Sequence, residues 1–203
     1  MNNQSDSSSS RRPGQQGQRE IRSRWAQETL NILEHGQYSL PSGENVMIRP
    51  QVEHTIHEAK LYRPQEREAI QQAAEQQIEQ MLKLQKSMTN VQIECTAETT
   101  LQAAERLVNT EGRSYVMALN FASARNPGGG FLGGSQAQEE SLARSSSLYP
   151  SIVQMTEMYE HNRREKSCMY SDYMIYSPEV TVFRNDDGSL REQPYTVSMI
   201  TAP

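Results

Sequence analysis

Apolar positions are spread unevenly along the chain. From Met1 to Gly17 no aliphatic side chain follows Met1. Such a segment cannot bury enough surface to offset its ordering entropy, which predicts a disordered tail over residues 1–19. Ile21, Trp25, Leu30 and Leu33 then recur near helical spacing. They predict a helix over 20–35 that Gly36 can end. Residues 38–44 read as a turn, and Val46 to Ile48 as a short apolar segment stopped by Pro50. From Gln65 to Lys86, Ile70, Ala74, Ile78, Met81 and Leu82 form one stripe. This predicts a helix laid on a core, with its Gln-rich face in water.

The pattern changes after Ser87. Val91 to Cys95 alternates like a strand. Thr99 with Gln102 fits a capping box opening a helix whose stripe is Leu101, Ala104, Leu107 and Val108, with Gly112 at its end. Tyr115 to Leu119 is a second apolar strand. Ser135 with Gln138 again fits a capping box. Pro150 opens a helix with Ile152, Met155 and Tyr159 on one face. Tyr173 to Tyr176, Val180 to Phe183 and Thr196 to Ile200 read as strands, and Asn185-Asp186-Asp187-Gly188 as a tight turn. The last strand is apolar enough to expect a neighbour on both sides. The order predicts an α/β fold with a mixed sheet over 89–203, preceded by a helical extension over 20–88.

Composition narrows the chemistry. The 203 residues carry a net charge of -5, with 35% hydrophobic residues, a mean hydropathy of -0.79 and a pI near 5.5. A broad basic surface for nucleic acid is excluded. An anionic ligand would be gripped locally. Cys95 and Cys168 lie in no metal-ligand or disulfide pattern and read as two buried reduced thiols. No signal-like segment or long apolar run appears, so a soluble protein of the cytoplasm or nucleus is expected. His54 and His57 are the one close histidine pair, and without a third ligand they read as surface residues. No zinc site is indicated.

The stretch after the strand at 115–119 carries the distinctive pattern. Asn126-Pro127-Gly128-Gly129-Gly130-Phe131 is followed by Gly133-Gly134 and then by Gln138-Glu139-Glu140 near a helix start. Ligands of α/β sheets sit beyond the carboxyl ends of strands. Glycines there allow close backbone approach, and successive amides with a helix N-terminus favour an anion. No Gly-Lys-Ser/Thr follows, and the spacing is not that of a dinucleotide fingerprint. Adjacent carboxylates point about 100° apart on a helix, so they have separate roles. One suits ligand hydroxyls; the other suits proton transfer to a glycosidic oxygen and activation of water. Burial and a nearby diphosphate would raise the pKa of such an acid. Taken singly, each carboxylate is better explained by the helix dipole; taken with the loop and the Gln-Glu-Glu triplet, the functional reading wins. Arg125 and Arg144 suit phosphate, solvent or ion pairs alike.

These residues resemble the signature of the poly(ADP-ribose) glycohydrolases: three glycines, a short gap, then Gln-Glu-Glu. The run from Leu119 to Phe131, with Gln138 to Leu142, Ser147 to Tyr149, Tyr176 to Pro178, Val182 to Arg184 and Ile200 to Pro203, is similar to the microbial-type members, which carry a macrodomain. The region containing Thr29, Gly36 and Tyr38 is similar to the extension that precedes it. The resemblance implies Glu140 as the catalytic acid and Glu139 as the holder of ribose hydroxyls. It implies Gly128, Gly129, Gly130 and Phe131 as the lining of ribose and diphosphate, Asn126 as an orienter of the reacting ribose, and Gln138 as a positioner. The implied partner is ADP-ribose polymer or an ADP-ribosylated protein, met by a monomer. In the family the macrodomain continues past Thr-Ala-Pro with further helices, two strands and a second glycine-rich loop. A macrodomain-like mixed sheet flanked by helices and incomplete at its C-terminus is therefore expected. The competing expectations are a module that binds ADP-ribose without turnover and an inactive fragment.

Overall fold

The computed structural model describes residues 13–84, 91–166 and 169–203. Most of the expected tail lies outside those residues; its last part, 13–19, is already helical. Helix α1 spans Pro13–His35. Gly36 ends it with φ +65, and the Gly36 amide donates to the Ile32 carbonyl at 2.8 Å. Only glycine fits there, because a Cβ would stand 2.5 Å from that of Arg49. A small hairpin follows, β1 Gln37–Ser39 and β2 Asn45–Met47, antiparallel. Helix α2, Arg49–Glu58, begins with proline in its first turn. Ile32, Tyr38, Leu40, Ile48, Val52 and Phe183 close a core between α1, the hairpin and α2.

The extension is continuous with the main sheet. Its strand β3, Lys60–Tyr62, pairs antiparallel with β5, Met174–Arg184. Between them come α3 Arg67–Leu84, α4 Thr100–Glu105, β4 Met117–Phe121, α5 Gln138–Ser145, α6 Leu148–Val153 and α7 Thr156–Arg164. Strand β6, Leu190–Ala202, closes the chain. The four-stranded sheet runs β3-β5-β6-β4, with β4 parallel to β6 and the other pairs antiparallel. This is the mixed α/β arrangement expected. The main core, including Leu101, Leu142, Ile152, Met158, Ile175, Val182 and Met199, lies between the sheet and α4–α7. Among the described residues no helix is long and apolar enough to cross a membrane.

Several local expectations hold. Thr99 accepts from the Gln102 amide at 3.1 Å while its own amide donates to Gln102 Oε1 at 3.0 Å, completing the first capping box. Asn185 to Gly188 form the β5–β6 turn, with the Gly188 amide donating to the Asn185 carbonyl at 2.9 Å. Strand β6 has neighbours on both sides, β5 and β4.

Others change. Val91 to Cys95 is not a strand; Val91 and Ile93 are exposed and pair with nothing among the described residues, and Cys95 is a free, exposed thiol rather than a buried one, while Cys168 lies outside the described residues. Alternation without a partner edge makes no ladder. The stripe of α3 does not lie on a core, since Ile78 is 56% and Met81 58% exposed. What ties α3 down is its first turn, where Arg67 pairs with Asp172 at 3.1 Å. The two strands expected over 173–183 are one, interrupted by a register shift between Ser177 and Val180 where Glu179 takes φ 45. The helix expected after Pro150 is two short ones, α6 and α7.

Candidate active site

Strand β4 ends at Phe121 and α5 begins at Gln138, so the 16 intervening residues must return the chain across the sheet's carboxyl edge. Gln138 sews the two elements together. Its Oε1 accepts from the Phe121 amide at 2.8 Å, and its Nε2 donates to the Leu119 carbonyl at 2.8 Å and to Thr100 Oγ1 at 3.0 Å. One side chain thereby anchors the first turn of α5 to the end of β4. The second capping box does not form: Ala137 is the N-cap, without a side-chain bond. Ser135 instead packs under Gly130, its Oγ 2.5 Å from where a Cβ would stand.

The next two residues of α5 carry the carboxylates. Glu139 is 3% exposed. It accepts from the Ser123 amide at 2.6 Å and from the Gly128 amide at 3.1 Å. Burial pushes its carboxyl up to about 7, although those amides and the Asn120 side chain pull the other way. Glu140 is half-buried, and its Oε1 accepts from the Gly130 amide at 3.0 Å. Alternate glycine amides therefore hold adjacent carboxylates. The 100° between neighbouring helical side chains is matched by a loop that turns between Gly128 and Gly130.

That turn explains the glycines. Gly129 has φ +57, and a Cβ on it would stand 2.5 Å from Glu140 Oε1 and 3.2 Å from Glu139 Oε2. Gly128 has φ +72, and a Cβ there would meet the rings of Phe131 and Tyr149. Those rings pack on each other with centroids 4.8 Å apart. The loop amides have a different use from the expected open anion cradle. Gly128 and Gly130 donate to the carboxylates. Gly129 donates to Asn126, Phe131 to Gly128, Gly133 and Ser135 to Gly130, and Gly134 to Phe131. These amides preorganise the acids. Asn126 sits exposed at the turn that opens the loop.

Some neighbours escaped the sequence reading. Asn120 is fully buried and donates to Thr201 Oγ1 at 3.1 Å. Its Oδ1 is buried without a hydrogen-bond partner among the described residues, and its side chain neighbours Glu139. The signal was a lone amide in an otherwise apolar strand. The buried Tyr159 hydroxyl, also without a hydrogen-bond partner, is pushed up by burial and by the charge of Glu139. Arg144 is buried and donates to the Ser135 carbonyl at 2.7 Å and to Gln136 Oε1 at 2.6 Å. It therefore braces the loop. The Arg125 carbonyl accepts from Arg163 at 2.9 Å. His54 pairs with Glu179 at 3.6 Å and His57 with Glu58 at 2.8 Å, both away from the loop. Among the described residues no cluster of three His, Cys, Asp or Glu could hold a metal ion.

Comparisons with known proteins agree on one family. Residues 26–185 match the family described as microbial-type PARG, catalytic domain. Poly(ADP-ribose) glycohydrolase from Thermomonospora curvata, solved with the inhibitor ADP-HPD, is 42% identical with a TM-score of 0.78; the match covers 91% of this chain and 63% of that one. The Deinococcus radiodurans enzyme, solved with ADP-ribose, is 43% identical with a TM-score of 0.64, over 76% of this chain and 58% of that one. This chain thus spans less than two thirds of either relative. No curated protein matches. The family match spans most of the chain, and the relatives share its fold at more than 40% identity: the chain belongs to the microbial-type poly(ADP-ribose) glycohydrolases.

Proposed function

We propose that this chain carries the catalytic carboxylates of a glycosidase that hydrolyses ribose–ribose bonds in poly(ADP-ribose). The observation that carries the reading is the division of labour between adjacent acids. Glu139 is sealed beneath the loop with both oxygens on backbone amides. Glu140 is half-exposed, and its Oε2 takes no hydrogen bond among the described residues. A carboxyl with one anchored and one free oxygen suits proton transfer at a bound ligand.

In the proposed reaction Glu140, as the acid, protonates the glycosidic oxygen while the bond from that oxygen to the anomeric carbon breaks. Water then adds its oxygen to the anomeric carbon and returns a proton to Glu140. Two hydroxyl-ended products result. Glu139 holds ribose hydroxyls and fixes the loop, Asn126 orients the reacting ribose, Gly128 to Phe131 line ribose and diphosphate, and Gln138 keeps α5 on β4. No step calls for a metal or an organic cofactor. The substrate is ADP-ribose polymer or an ADP-ribosylated protein, met by a monomer in the cytoplasm or nucleus.

Release of ADP-ribose from the polymer by this chain and by Glu140→Gln is the test. Turnover should fall roughly 1,000-fold in the variant, within the range for loss of a general acid, while ADP-ribose binding by calorimetry changes only a few-fold. Equal turnover in both proteins removes Glu140 from the mechanism. Binding without turnover in the unsubstituted chain replaces the enzyme with a recognition module.

A further inference from the structure

Helix α1 grips the far side of the glycine loop, and it does so before the stretch matched to the family begins at residue 26. Ser23 Oγ donates to the Leu132 carbonyl at 2.7 Å, Arg19 Nε to the Gly133 carbonyl at 2.6 Å, and Arg22 Nε to the Gly134 carbonyl at 2.8 Å. Arg144, from α5, takes the next carbonyl, that of Ser135. Four consecutive main-chain carbonyls are thus each held by a side chain. Such groups are ordinarily satisfied by water at a surface loop. Here three come from one helical face, since residues 19, 22, 23 and 26 lie at helical spacing. Ala26 completes that face, fully buried against Phe131 and Ala143.

The approach is close enough to dictate sequence. Gly134 has φ +72, and a Cβ on it would lie 2.0 Å from the Arg19 carbonyl oxygen. The held segment connects directly to the acid. The Gly130 carbonyl accepts from the Gly133 and Ser135 amides, and the Gly130 amide donates to Glu140. A displacement of residues 132–135 therefore reaches the Glu140 carboxylate through one residue, Gly130.

We propose that Arg19, Arg22 and Ser23 are positioning residues that fix Glu140 by clamping the carbonyls of residues 132–134. The catalytic part of the proposal rests on the glycosidase reading above; the clamp itself does not. The spacing of the three donors fits a single rigid helix, and removing them leaves Arg144 and the Phe131 core in place. The loop should then loosen locally without the sheet melting.

The test is the triple variant R19A/R22A/S23A in the full chain, read two ways. By hydrogen exchange, the Gly130, Gly133 and Ser135 amides should exchange about tenfold faster or more, while β5 and β6 amides keep their rates. In turnover, kcat should fall roughly tenfold with KM within about twofold, the pattern of a misplaced catalytic group. Arg22→Lys with Ser23→Thr, which keeps a donor at both positions, should restore most of both effects. Unchanged exchange at Gly130 overturns the clamp. So does faster exchange that spreads through β5 and β6, because that marks general destabilisation. If the unsubstituted chain has no turnover, the exchange result still decides the clamp, and the glycosidase reading alone fails.

Discussion

The glycine loop and the outer face of β4 are a few residues apart in sequence and are built on opposite terms. In the loop, the amides of Gly128, Gly129, Gly130, Phe131, Gly133, Gly134 and Ser135 donate to protein acceptors, and carbonyls 132–135 accept from side chains. Apolar burial contributes one small cluster, Phe131 with Ala26, Ala143 and Tyr149. On β4 the balance reverses. Asn120 faces inward and is buried, whereas Met117, Leu119 and Phe121 are exposed on the other face. The loop is therefore ordered by partners for its individual amides and carbonyls, which fix directions, and the strand by its ladder with β6, which leaves an apolar outer face uncovered. A site that must aim a carboxyl needs the first kind of order. Changes in the loop should act on geometry far more than on stability, and changes on the outer strand should act on neither.

Gly129→Ala is the sharpest way to break the loop. A methyl group there meets Glu140 Oε1 at 2.5 Å in a left-handed backbone. Either the turn opens or Glu140 rotates away. Turnover should fall on the order of 100-fold, with a stability loss of about 1–3 kcal/mol, the cost of a strained left-handed residue. Activity assays with thermal unfolding give both numbers. Full turnover in the variant would mean that the loop does not set the position of Glu140.

Glu139 separates the two kinds of order by pH. Burial raises its folded value to about 7 from an ordinary 4.5. The folded state therefore holds a proton that the unfolded state has lost. Stability should decline as pH rises from about 4.5 to about 7, by about 3 kcal/mol in total, and level off above that. Glu139→Gln cannot titrate, so the difference between the two proteins' denaturation free energies should trace that decline. Parallel curves for the two proteins across pH 5 to 8 would remove Glu139 as its source.

What was legible follows the same division. The adjacent acids and the glycines are local, and helical geometry alone separates the directions of Glu139 and Glu140. Gln138 belongs to the same triplet, although its bonds to Phe121, Leu119 and Thr100 do not follow from that spacing. The partners from elsewhere were not legible. Ser23 and Leu132 are 109 positions apart, and Arg19 and Gly133 114. No spacing rule links such pairs. Arg144 was ambiguous because its acceptors are carbonyls, which any residue supplies. The expected strand at Val91 to Cys95 failed for a related reason: alternation reports a face, and only a partner edge makes it a strand. For Thr196 to Ile200 that partner existed twice.

The smallest effect is expected where the sequence looks most like a core. Leu119 alternates correctly, sits mid-strand and is 44% exposed beside Met117 and Phe121. A buried leucine in that place would cost about 2–5 kcal/mol on truncation. Leu119→Lys should instead leave the unfolding free energy within about 0.5 kcal/mol, because the side chain faces water and its stem can lie along the strand. Its backbone carbonyl still meets Gln138, so the link between β4 and α5 survives. The charge also blunts an apolar edge that invites pairing with a second strand. The variant should be less prone to concentration-dependent association, which light scattering reads directly. A loss of several kcal/mol would show that this face is covered in solution, and the contrast with the glycine loop would then be one of partners rather than of kinds of order.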